Sequence, residues 1–175
     1  MPQLSPIKTT TGLLPRRLLG RTMDIMAMRN PDVRRKLIAG QPALSAAIQV
    51  WSARERRIQT EFVSGVQAAG LPLEIAHRFE LTVKGVEQAL ESRLSAENHV
   101  AEAVQQMLEA LDRHPWTSEK QGEKEAMTFA TSDGLAAFRS AQIGLERALH
   151  HRTWTGERLD RRNEEMLFAL GALRR

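Results

Sequence analysis

Between residues 42 and 111, apolar side chains recur every three or four positions and charged ones fill the gaps. The first part of this stretch carries Leu44, Ile48, Trp51, Ile58, Phe62 and Val66, with only Glu55 breaking the row. That spacing puts one apolar face on a helix opened by Pro42 and ended near Ala69 by Gly70. Arg54, Glu55, Arg56, Arg57 and Glu61 fill the solvated face with opposite charges near i, i+4 spacing. Pro72 opens the longest element, 72–113, whose stripe is Ile75, Phe79, Val83, Val86, Leu90, Leu94, Val100, Val104, Met107 and Leu111. After Phe79 the steps alternate near three and four, the coiled-coil repeat. A break at Ser92–Ser95, with Ser95 capping a new helix, would shorten this element. Uninterrupted, some forty residues make about 60 Å of helix. That length exceeds the width of a compact domain, so the rod is expected to project from the body or to lie along a partner.

The flanks predict shorter pieces. Residues 1–12 read as an extended arm and 15–29 as a short helix. Asn30 and Pro31 then start a helix over 32–39 that ends at Gly40. After the rod, His114-Pro115-Trp116-Thr117 stops the chain, 118–122 reads as a loop, and a moderate helix follows to Ala130. A helix over 133–152 presents Leu135, Phe138, Leu145 and Leu149. Thr155 is expected to cap a last helix with Leu159, Asn163, Met166, Leu170 and Leu173 along one seam. The expectation is an all-α fold: an elongated helical bundle or coiled-coil-like hairpin with flanking shorter helices. Its parts are a basic N-terminal arm at 1–40, a long helical hairpin at 41–114, and C-terminal helices at 115–175 packing on the hairpin.

Composition supports this class. Of 175 residues, 42% are apolar and 26% charged, near the globular norm. Cysteine is absent, which removes disulfides, thiolate zinc sites and cysteine nucleophiles, and fits a reducing compartment; a cytoplasmic location is expected. No apolar run reaches the 18 or so residues of a membrane span. Residues 13–28 are basic and partly apolar, a composition shared by organelle transit peptides and by ordinary docking helices, and the second reading is favoured.

The charge is unevenly placed. Residues 1–36 carry eight Lys/Arg against two Asp, residues 37–136 nine against fourteen acids, and residues 137–175 eight against five. Basic ends around an acidic middle suit phosphate, an acidic partner surface, or the molecule's own middle. The candidate binding residues are Lys8, Arg16, Arg17, Arg21, Arg34, Arg35 and Lys36, with Arg29 among them in sequence. No aromatic that would stack on bases lies near them, so contact with a nucleic-acid backbone is more plausible than sequence reading.

Motifs with chemistry are few. Glu74-Ile-Ala-His77 has the Glu-x-x-His spacing that resembles carboxylate-bridged di-iron bundles, but no second such pair occurs, and neither metal nor cofactor is expected. His150-His151 sit at an expected helix C-terminus, where cations are favoured. Arg93-Leu-Ser-Ala-Glu-Asn-His99 places a His six residues after an Arg. This spacing resembles the ribonuclease motif of HEPN-type helical domains, which implies RNA cleavage by Arg93 and His99 meeting across a dimer. That family has Asn, Asp or His directly after the Arg, where this chain has Leu94. Trp51 fits the core stripe. Trp116 and Trp154 lie at expected helix junctions, placed to plug bundle ends or anchor a partner, and Asn163 falls in an apolar seam, either buried, where its amide sets register, or at the seam's edge in water. These three are the candidate interface residues. The readings drawn from this are a non-enzymatic interaction or assembly subunit, then a nucleic-acid-associated subunit using the basic arm, and third the HEPN-like ribonuclease. A protein partner or self-association is expected.

Overall fold

The computed structural model describes residues 28–121 and 124–171. Among these, three long helices form an antiparallel bundle: α1 Pro31–Ala68, α2 Leu73–Arg113 and α3 Ser132–Gly171. A small antiparallel hairpin, β1 Trp116–Gln121 and β2 Lys124–Phe129, joins α2 to α3.

The helix ends follow their local chemistry. The Asn30 side chain accepts from the Asp32 amide at 2.9 Å, Pro31 lies in the first turn, and Asp32 complements the helix dipole. Gly70 takes φ +71°, a conformation that costs it nothing and turns the chain from α1 into α2. Thr131 caps α3 by accepting from the Gly134 amide at 3.1 Å.

Two expected breaks are absent. The helix beginning at Pro31 does not stop at Gly40 but runs through Gly40 and Pro42 to Ala68, so it crosses the expected arm–hairpin boundary. Leu37, Ile38 and Leu44 pack against the same core cluster as Ile48. That continuous burial outweighs about 1 kcal/mol for Gly and about 3 kcal/mol for Pro in a helix interior. The rod itself runs unbroken over Leu73–Arg113, as its stripe predicts, and the alternative break at Ser92–Ser95 does not occur. Likewise, Thr155 does not cap a new helix: it lies fully buried inside α3, and its hydroxyl donates back to the carbonyls of His151 and Arg152, both at 3.0 Å. His150 and His151 are therefore mid-helix residues.

The expected loop at 118–122 and helix to Ala130 are also replaced. That stretch is the β-hairpin, in register Trp116↔Phe129 through Gln121↔Lys124, and Ala130 N–H donating to Pro115 O extends it. Aromatic and threonine residues pair at its base, Trp116 with Phe129 and Thr117 with Thr128, a composition that suits a pleated ladder.

The rod's stripe is covered by its own chain. One cluster, at the hairpin end, joins Met28 and Ile48 to Val100, Val104, Met107 and Leu108 of α2 and to Ala141, Leu145 and Ala148 of α3. A second cluster, at the opposite end, gathers Val66, Phe79, Val83, Val86 and Met166, with Phe62, Val63, Leu159 and Leu170 packed on it. Each fully buried Leu or Val there contributes about 1.5–3 kcal/mol. Two cross-links tie α1 to α2. Arg56 donates bidentately to Glu91 at 2.6 and 2.7 Å, and Arg34 reaches Asp112 at 3.4 Å.

Candidate functional site

Between the two apolar clusters the interior becomes polar. Arg93 and Glu97, one turn apart on α2, are both buried and form an ion pair. Arg93 also donates to the carbonyl of Arg152 on α3, and the Arg152 guanidinium lies 3.9 Å from the other Glu97 oxygen. This site exists because α3 places Gly156 against the Arg93 guanidinium; a Cβ at that position would sit 3.1 Å from Nη1. Glu97 Oε2 is buried without a hydrogen-bond partner. Burial pushes the Glu97 carboxyl above the usual carboxylate range, with Arg93 and Arg152 pulling the other way. Burial likewise lowers the Arg93 guanidinium, aided by the charge of Arg152 and opposed by Glu97 and Asp160.

Directly outside this cluster lies a row of rings. His99 of α2 and His151 of α3 have centroids 6.5 Å apart. His151 is nearly parallel to Trp154, at 5.9 Å and 23°. Arg158 lies over the Trp154 ring at 5.6 Å. The α3 members are spaced three and four apart, which sets them on one helix face. Trp154 is 44% exposed, and both histidines face solvent.

At the hairpin end, Trp116 is half-buried against the core and donates through Nε1 to Leu111 O at 3.0 Å, while Arg34 lies over its ring at 5.9 Å. A cleft of about 500 Å³ opens beside them, with Asp112 and His114 on its wall.

The sequence candidates distribute as follows. Arg93 and His99 share α2, but Arg93 turns inward to Glu97 and Arg152 while His99 turns outward to His151. Of the basic group, Lys8, Arg16, Arg17 and Arg21 lie outside the described residues. Arg34 is occupied by Asp112 and the carbonyls of Met28 and Arg29, whereas Arg35 and Lys36 are exposed. Asn163 is half-buried. Trp116 is in the bundle end and Trp154 on the surface. His77 is exposed, and no group of three or more potential metal ligands occurs among the described residues. The sequence reading missed the union of His99 with His151, Trp154 and Arg158. Its signal was the three-and-four spacing of 151, 154 and 158, hidden by the assumed helix break at Thr155.

No family model, curated protein or solved structure matches this chain. No helix among the described residues is long and apolar enough to cross a membrane.

Proposed function

We propose that the protein is a non-enzymatic assembly subunit, a helical scaffold that associates with another protein through the end of the bundle opposite the β-hairpin. One observation carries this reading: Leu73 at the start of α2 is 87% exposed and Phe168 near the end of α3 is 81% exposed. Because α2 and α3 run antiparallel, both lie at the same end, where Leu167 and Leu81 are also exposed. Large apolar side chains gathered outside a well-filled core are a mark of association surfaces. Arg35 and Lys36, exposed near the start of α1 at the hairpin end, offer a second, basic surface suited to an acidic partner. A cytoplasmic setting is supported by the absence of cysteine.

Light scattering coupled to size-exclusion chromatography tests self-association across protein concentration. A complex that dissociates in Leu73→Ser/Phe168→Ser, with the helical circular-dichroism signal kept, is the expected result. A protein that stays monomeric at every concentration, and whose double variant loses no binding to any co-purified partner, overturns the reading.

A further inference from the structure

We propose that the His99–His151–Trp154–Arg158 face is a binding site for single-stranded nucleic acid, with Trp154 as the stacking surface and Arg147 and Arg158 as phosphate contacts. This surface lies at mid-bundle, separate from the apolar end assigned to assembly. Four planar side chains from two helices follow one another along it, at 6.5, 5.9 and 5.6 Å. Arg147 sits one turn before His151 on the same helix and is exposed. None of the ion pairs among the described residues involves Arg147 or Arg158. Arg93 and Arg152 lie behind the face with Glu97 between them and Asp160 also acting on Arg93, so the layer beneath is balanced in charge and the attraction for phosphate rests on Arg147 and Arg158. Arg158 is held over the indole by a cation–π contact that is weak at an exposed site, and an incoming base can take its place while the guanidinium turns to a phosphate. Planar rings flanked by free cations are the arrangement that binds unpaired bases without reading their sequence. Glu102 and Glu157, each three residues beyond His99 and Trp154, are exposed and offset part of the attraction for phosphate. Stacking must then supply the rest, which favours single strands over a duplex or an acidic peptide.

The test is fluorescence anisotropy of the full chain with short fluorescein-labelled oligouridylate and oligothymidylate at low salt. A duplex of equal length and a polyglutamate peptide serve as competitors. Trp154→Ala and Arg158→Ala are each expected to weaken binding about ten-fold, within the range seen for lost base stacking. Trp154→Phe keeps a ring and is expected to keep most of the affinity, which separates stacking from misfolding. Removing Arg147 should lower the salt slope by about one. Absence of binding overturns the proposal. So does affinity untouched by Trp154→Ala but abolished by Arg16→Ala/Arg17→Ala/Arg21→Ala, or polyglutamate competing as well as the oligonucleotides.

Discussion

Gly156 shows how much a single missing methyl can carry. Its α carbon faces an Arg93 guanidinium already fixed by Glu97 and by the Arg152 carbonyl. Alanine there gains about 1 kcal/mol of helix propensity but must displace a buried charge from its partners. Gly156→Ala is therefore expected to lower the thermal midpoint. Gly40→Ala, with nothing within 4 Å of its added Cβ, should raise stability by about 1 kcal/mol in denaturant titration. At Glu97 the consequence is a pH dependence of defined sign. Its carboxyl titrates higher in the folded state than in the unfolded chain, because burial disfavours the charged form. The folded state thus holds that proton more tightly, and the Glu97 contribution is full below the ordinary carboxylate pKa of about 4.3 and is lost as pH rises past it. Stability measured against pH should fall over that window in the wild type and fall less in Glu97→Gln. The exposed Glu91 has the opposite sign, since its hydrogen bond from Arg56 lowers its carboxyl. Its contribution is present at neutral pH and lost on acidification, so Arg56→Ala isolates the Glu97 term. In sequence Arg93 stood out only for its spacing to His99, and Arg93–Glu97 is one more i, i+4 pair. Nothing local distinguished it from Arg57–Glu61, which has the same spacing and is fully solvated. Burial by α3 made the difference.

At the scale of elements, α1 and α3 run further than their punctuation suggests, while α2 has the length its stripe predicts. Pro42 leaves the Ile38 carbonyl without its usual amide donor. The helix tolerates this because Ile38 and Leu44 on either side are seated in one apolar cluster. Pro42→Ala should accordingly stabilise the protein, by up to about 3 kcal/mol, read as a raised denaturation midpoint with unchanged slope. Glycine, proline and threonine signal local cost, which is all that a single stretch of sequence contains. Whether the cost is met depends on neighbours far along the chain. The hairpin was misread for the converse reason. A twelve-residue polar stretch has no decisive periodicity, and its strands are set only by pairing with each other, with Trp116 and Phe129 at their base. Trp116 ties that base to α2 through the Leu111 carbonyl and to the core by its ring. Trp116→Ala should cost about 3–5 kcal/mol if the ring is as well packed as a core aromatic, and hydrogen exchange should show the hairpin amides losing protection first.

For the whole molecule, the core is two apolar clusters held on the same three helices and separated by a charged layer. Replacing that layer with packed apolar groups of similar volume, Arg93→Met/Glu97→Leu, is expected to be neutral or stabilising. Glu97→Ala alone should cost about 3–5 kcal/mol, since it leaves Arg93 buried and unpaired. A double-mutant cycle between the two positions reads the coupling directly, and a coupling near zero would show that burial of the pair has no energetic consequence. Rod-shaped proteins of this kind present long side faces and two ends. Here one end is closed by the hairpin, and the other bears Leu73 and Phe168 in water.

The three-and-four spacing of apolar residues alone determined that this chain forms long helices, because helical periodicity is a local property of the residue order. The same spacing, with Asn30, Gly70 and Pro115, located the start of α1, the turn into α2 and the end of the rod. Tertiary structure decided what covers the rod, which breaks are overridden, and which charges are dry. It also brought His99 to His151 and Trp154, residues some fifty positions apart that no spacing rule connects. Contacts across the bundle depend on the relative rotation of three helices, and that rotation is fixed by packing, not by any one helix's own sequence.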